Sequence, residues 1–333
     1  MKEALFWEKK DDKVQCLLCP HKCTIAEGKR GICGVRENMG GVLHSLIYGL
    51  ASSACSDPIE KKPLYHFYPG SYVLSFGTVG CNLKCKHCQN WSISQATPES
   101  YSFLETVSIE EIPELAKKSR CRGVAWTYNE PAIWYEFTYE GSKIAKQNEL
   151  YTVYVTNGYI NEEPLRKLSR YLDAMNIDVK AFRENFYNAV CSGSLEPVLR
   201  TCVLAKELSI YIELTYLIIP GYNDSNQEIE NFCDWVAEKL GKETVVHFSM
   251  FYPHYKMAHI QPTPIENMLK AYEIGTKKLD FVYLGNVPHG NYENTYCPNC
   301  RAVLIERYGF YVERINLKKF TCSKCGKKIK VFM

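Results

Sequence analysis

The middle of the chain alternates short apolar runs with longer stretches of helical periodicity, the pattern of β/α units. Apolar runs fall at Tyr72–Phe76 and Gly123–Tyr128. Leu150–Thr156 is rich in β-branched and aromatic residues, which suit a pleated surface. Asp173–Asp178, Ile210–Leu217 and Thr244–Met250 continue the series, and Phe281–Leu284 adds a last strand. Between them, Ser108 with Glu111 reads as a capping box that opens a helix. Ser225 and Glu228 start another, with Ile229, Phe232, Cys233, Val236 and Leu240 on one face and Gly241 as its stop. Thr263-Pro264 with Glu266 predicts a further capping box with proline first. Six β/α units and a final strand predict an α/β fold, as an incomplete barrel or a doubly wound sheet.

Polar motifs follow these strands. A cysteine-rich loop comes after the first, Asn129-Glu130-Pro131 after the second and Asn157-Gly158 after the third. Asp178 and Lys180 end the fourth, His254 lies soon after the sixth, and His289 lies beyond the last. In β/α barrels the chemistry sits at this end of the strands.

Composition narrows the class. At 333 residues the chain can bury a large core, so one main domain with small appendages is expected. With 46% hydrophobic and 23% charged residues it reads as globular, and a net charge of +3 gives no pointer to nucleic acid or membrane. No apolar run approaches a membrane span. The start, Met1 to Asp12, lacks the apolar core of a secretory signal, so a cytoplasmic location is expected. Sixteen cysteines in a chain of this length read as metal ligands in a reducing compartment, not as a disulfide framework. Cys55, Cys121, Cys191, Cys202 and Cys233 stand outside any ligand spacing and are expected to be packing residues.

Cys81, Cys85 and Cys88, spaced C-x3-C-x2-C, are interleaved with Asn82, Lys84, Lys86, His87 and Gln89, so they cannot all be core residues. A [4Fe–4S] cluster is normally held by four thiolates, and three this close leave one iron open. Zinc would want a fourth ligand, and His87, adjacent to Cys88, chelates poorly. An open cluster is the better reading.

This triplet resembles the signature of the radical S-adenosylmethionine (SAM) enzymes. The longer string from Asp57-Pro-Ile-Glu-Lys-Lys-Pro through Gly70, and on to Cys88-Gln-Asn-Trp, resembles the AmmeMemoRadiSam-system branch, close to pyruvate formate-lyase activating enzymes. The resemblance implies a partial (β/α)6 TIM-type barrel over residues 61–290. It also implies that a reduced cluster cleaves SAM and that the resulting 5′-deoxyadenosyl radical takes hydrogen from a substrate. It places Asn129 and Glu130 at the SAM ammonium, Thr156 and Asn157 at its carboxylate or ribose, and His87 at adenine. Asp178 and Lys180 approach SAM or substrate. It further implies reduced flavodoxin or ferredoxin as electron donor, and association with Memo-type and Amme-type proteins. The substrate is a protein or a small molecule, with a glycyl residue of a partner protein as one candidate.

Two cysteine quartets flank the barrel. Cys297-x2-Cys300 and Cys322-x2-Cys325 read as a zinc ribbon within residues 291–333. Cys16-x2-Cys19-x3-Cys23 with Cys33, within residues 1–60, fits zinc or a second iron–sulfur cluster. A rival reading from another class is a noncatalytic metal-binding protein whose basic ribbon binds RNA or a protein partner. The polar set around Asn129, Glu130, Asn157 and Asp178 weighs against it, because a pure binding module has no need of that set.

Overall fold

The computed structural model describes residues 1–288 and 290–333. The strands are β1 (Ser53–Pro58), β2 (Tyr72–Gly77), β3 (Gly123–Trp126) and β4 (Tyr151–Thr156), then β5 (Ala174–Asp178), β6 (Tyr211–Ile218), β7 (Val245–Met250) and β8 (Val282–Gly285). They form one eight-stranded sheet in strict chain order, with β1 antiparallel to β2 and every later pair parallel. A doubly wound sheet reverses its strand order at a switch point. This one never reverses, so the winding is that of a partial barrel. Residue 289, and with it His289, lies outside the described residues.

Among the described residues, six helices of seven or more residues connect the parallel strands: α1 (Ile112–Lys118), α2 (Tyr135–Gln147), α3 (Glu162–Leu168), α4 (Glu196–Glu207), α5 (Asn226–Trp235) and α6 (Ile265–Lys278). The Ser108–Glu111 capping box forms as expected, and the Ser225 side chain accepts the Glu228 N–H. Ile229, Phe232, Cys233, Val236 and Leu240 are buried against the sheet side, and Gly241 ends the run at φ +88°. The third expected cap does not form. Pro264 stays extended, and the Thr263 hydroxyl donates to Ile218 O (2.6 Å) and accepts from Phe251 N (3.0 Å). Two unpaired groups at the ends of β6 and β7 outcompete the helix for that hydroxyl.

Residues 1–51 add two small antiparallel sheets. They are fastened to the barrel by Arg36, whose Nη2 contacts both oxygens of Glu136 on α2 at 2.6 and 2.7 Å, with both side chains 1% exposed. At the other end, strands Thr295–Tyr296, Val303–Tyr308 and Tyr311–Ile315 form the ribbon, and the chain returns so that Phe332 N donates to His66 O.

The string Asp57 to Gly70 packs along the barrel with no part in the cysteine loop. The Tyr65 and His66 N–H groups donate to the Glu213 carboxylate (2.9 and 2.8 Å), which also pairs with His247 Nε2 at 2.6 Å. Arg307 of the ribbon donates to Tyr65 O, so the same segment anchors the C-terminal strands. Four of the five scattered cysteines are buried as expected, whereas Cys55 is exposed on the antiparallel edge strand.

Truncating Glu213 strands two buried N–H groups and a buried imidazole. Glu213→Ala is expected to lower stability by about 3–5 kcal/mol, read as a fall in the denaturation midpoint.

Candidate active site

The strand ends converge on a cavity of about 230 Å³. Each parallel strand from β2 to β8 sends a residue to it, either from its last turn or from the loop that follows. Cys81, Cys85, His87 and Cys88 come from the loop after β2, Asn129 and Glu130 follow β3, and Asn157 follows β4. Asp178 and Lys180 complete the set predicted from sequence. Thr156 stands behind this wall, its hydroxyl donating to Glu130 Oε1 (2.7 Å) and accepting from Gly158 N (3.1 Å). His254 is exposed, capping the short turn Tyr255–Met257 outside the cavity.

The cysteine loop is held at several points. Lys84 N and Lys86 N donate to the carbonyls of Cys191 and Val190 (2.8 and 2.9 Å), so the loop lies along that segment. Asn129 accepts from Thr78 N (3.1 Å) and donates to Gly80 O (2.8 Å), gripping the chain just before Cys81. Asn157 Nδ2 donates to Asn82 Oδ1 (2.9 Å) and lies 3.6 Å from Cys81 Sγ, gripping it just after. Between the two grips Gly80 has φ +87°. A Cβ there would fall 2.6 Å from Val35 Cγ1 and 2.8 Å from Cys33 O, so the position admits glycine alone. From the far side, Lys256 N donates to Lys86 O (3.1 Å) and Tyr255 stacks on Trp91 at 5.1 Å.

The charged groups are few and constrained. Glu130 accepts from Ala132 N (2.9 Å), Thr156 Oγ1 (2.7 Å) and Asn157 N (2.8 Å) and is 1% exposed. Burial pushes its carboxyl up to about 7 despite those donors, with Asp178 adding to the rise. Lys180 Nζ contacts Asp178 Oδ2 at 2.6 Å. Burial alone would lower that ammonium, but the Asp178 carboxylate outweighs it and holds the group above its ordinary value. His87 is 4% exposed, its Nδ1 is buried without a partner, and burial beside Lys180 pushes it down to about 3. A neutral imidazole with an unpartnered nitrogen is a ready site for a ligand's hydrogen bond.

Sequence reading did not single out Tyr128, Ser94, Thr215, Leu217, Ser249 or Asn286, all on the cavity wall. Thr215, Leu217 and Ser249 carry a signal in retrospect, since they fall near the C-terminal ends of β6 and β7. Tyr128 carries none: it holds φ +72°, with its hydroxyl donating to Asp57. Cys191, expected to be packing alone, is fully buried beside the cysteine loop, its carbonyl accepting from Lys84 N.

This rim fits an open iron–sulfur cluster with a polar small molecule beside it. Three cysteines face one cavity, their sulfurs spread wider than a single ion requires: no three of them lie within 4.8 Å of one another. Residues 76–236 match the model of the radical SAM superfamily. That stretch of the chain is a radical SAM domain. An uncharacterized protein of Methanocaldococcus jannaschii is 49% identical, with both chains covered end to end. A second protein of that organism, provisionally named a glycyl-radical enzyme activating enzyme, is 29% identical over 63% of this chain and 77% of its own. Two solved structures share the fold. A radical SAM methyltransferase from Sphaerobacter thermophilus has a TM-score of 0.52 at 14% identity, over 66% of this chain and 67% of its own. Streptococcus suis SuiB, bound to precursor peptide SuiA, has a TM-score of 0.51 at 12% identity, over 69% of this chain and 52% of its own.

The four ribbon cysteines form a different site. Their sulfurs all lie within 4.8 Å of one another, with Cys297 and Cys325 at 3.5 Å and Cys300 and Cys322 at 3.6 Å. That is a cage for one ion. Tetrahedral zinc with Zn–S near 2.3 Å puts its sulfurs about 3.8 Å apart.

Gly80→Ala forces a Cβ into Val35 and the Cys33 carbonyl at a left-handed backbone angle. The variant is expected to stay folded by circular dichroism but to take up less than half the normal iron on anaerobic reconstitution.

Proposed function

We propose that the protein is a radical SAM enzyme in which Cys81, Cys85 and Cys88 hold a [4Fe–4S] cluster with one open iron. The observation that carries it is the meeting of these cysteines with Asn129, Glu130, Asn157, Asp178 and Lys180 on one cavity at the C-terminal rim. When bound, the reduced cluster supplies the electron that splits SAM into methionine and a 5′-deoxyadenosyl radical, which removes hydrogen from substrate.

The chain's own groups bind and orient. A carboxylate offers about four lone-pair sites, and Glu130 spends three on Ala132, Thr156 and Asn157. One remains for the SAM ammonium, whose arrival favours the charged carboxylate. Asn157, beside Cys81, would meet the carboxylate or ribose of SAM by exchanging one of its present partners, and Thr156 acts behind it through Glu130. His87 Nδ1 has the unmet capacity to accept from the adenine amino group. Lys180, steadied by Asp178, presents a cation for an anionic group of the substrate.

The relative named as an activating enzyme supports a partner protein, through a glycyl residue, as one substrate class, with a small molecule as the other. Reduced flavodoxin or ferredoxin in the cytoplasm is the electron source in this reading, and Memo-type and Amme-type proteins are its partners. The tight ribbon quartet takes one structural zinc.

Cys85→Ala is expected to abolish both the [4Fe–4S] absorbance and the release of 5′-deoxyadenosine under reducing anaerobic conditions. Unaltered protein with a full cluster and no 5′-deoxyadenosine would overturn the reading. SAM affinity is expected to weaken as pH falls through about 7, because Glu130 then takes a proton and loses its attraction for the ammonium. In Glu130→Gln, equilibrium binding should be flat across that range, near the low-pH affinity of the unaltered protein.

A further inference from the structure

The N-terminal quartet differs from the ribbon quartet in a way that sequence spacing does not show. Cys16, Cys19, Cys23 and Cys33 line one cavity with Arg36 and Asn82. No three of the four sulfurs lie within 4.8 Å of one another, whereas all four ribbon sulfurs do. The wider spread is shared with Cys81, Cys85 and Cys88. A cubane keeps its thiolates farther apart than a single ion does, because irons and sulfides stand between them. A zinc ion would need sulfurs about 3.8 Å apart.

Arg36 points to an anionic, sulfur-rich occupant. It is 1% exposed, its Nη groups are taken by Glu136 and Leu5 O, and its Nε is buried with no partner. An unpartnered buried N–H costs roughly 1–3 kcal/mol. It is met when an anionic iron–sulfur core offers sulfur as acceptor, as hydrogen bonds to cluster sulfurs do.

The quartet also abuts the other cysteine loop. Cys33 O is one of the two atoms that exclude a Cβ at Gly80, the residue before Cys81. His21, two residues after Cys19, contacts Asn82 O through Nε2 at 2.7 Å, and Asn82 follows Cys81. Both contacts are a single residue from Cys81. Cys23 is half-buried and Ile32 is 45% exposed, so the cavity has an edge near solvent.

We propose that Cys16, Cys19, Cys23 and Cys33 hold a second [4Fe–4S] cluster, and that it relays the electron to the cluster at Cys81, Cys85 and Cys88. A low-potential one-electron donor is oxidised by one electron at the quartet, and the same electron passes to the open cluster. The quartet's cluster returns to its starting state, and no bond or proton changes. The relay rests on the radical SAM reading, while the presence of the second cluster does not.

The test uses the full chain, reconstituted anaerobically, with Cys81, Cys85 and Cys88 all changed to Ala. About four irons and four sulfides are expected to remain, with an electron paramagnetic resonance signal after dithionite reduction. No iron and two zincs per chain would overturn the second cluster. Iron in the unaltered protein decides independently of whether the triple variant folds: about eight per chain supports the second cluster, and about four overturns it. For the relay, the fully reduced unaltered protein should show magnetic coupling absent from both the triple variant and Cys19→Ala/Cys23→Ala. A spectrum equal to the sum of the two variants overturns the relay. Eight irons with no SAM cleavage would instead overturn the proposed function and leave the second cluster standing.

Discussion

Asn129 and Asn157 grip the backbone on either side of Cys81, and the geometry of the rim depends on that grip. A loop of alternating cysteine, lysine and asparagine has no apolar side chains to pin it, apart from Leu83. Polar clamps must therefore supply the order that packing supplies elsewhere. The two asparagines come from the ends of β3 and β4, whose parallel register is fixed by the sheet. Rigidity thus passes from a buried sheet to an irregular loop through a few side-chain hydrogen bonds, the arrangement that keeps a site pre-organised.

Those clamps are themselves supported. Asn129 follows Tyr128, whose left-handed backbone is a conformation a bulky residue rarely holds. The Tyr128 hydroxyl donates to Asp57, the Lys62 ammonium lies over its ring at 4.4 Å, and Lys61 and Lys62 pair with the same carboxylate. These contacts hold Asp57 well below the usual carboxylate range against the opposing effect of burial, so the carboxylate stays charged and the anchor stays paired. The string that begins at Asp57 therefore serves the site without touching it. It bolts Tyr128 in place at one end and seals the β6–β8 side of the barrel through Glu213 at the other.

Much of this was legible in the chain, and what was not has a physical cause. Strand positions followed from apolar runs because a parallel sheet covered by helices buries both faces. The triplet declared itself because close spacing needs no tertiary contact to be recognised. The Thr263 cap misled because a hydroxyl bonds to whichever unpaired backbone group is nearer, and the rival groups lay 45 and 12 residues away in sequence. Thr156 looked like a ligand-facing residue, yet strand alternation left its hydroxyl facing Glu130. Tyr128 and Asp57 are 71 residues apart, and no local pattern announces their contact.

The three cysteine sets show the same limit most sharply. Cys16-x2-Cys19 and Cys297-x2-Cys300 have one spacing, but only the second belongs to a set of four sulfurs that all lie within 4.8 Å of one another. The ribbon's knuckles sit on short antiparallel strands that face each other across a small, exposed module, so its thiols can close on a point. The N-terminal cysteines are instead held by a body that must also seat Arg36 on Glu136 and press Cys33 against Gly80. Its backbone is thus anchored from outside the quartet as well as within it. Chelate spacing proposes a set of ligands, and the packing around them decides how closely their sulfurs are brought together.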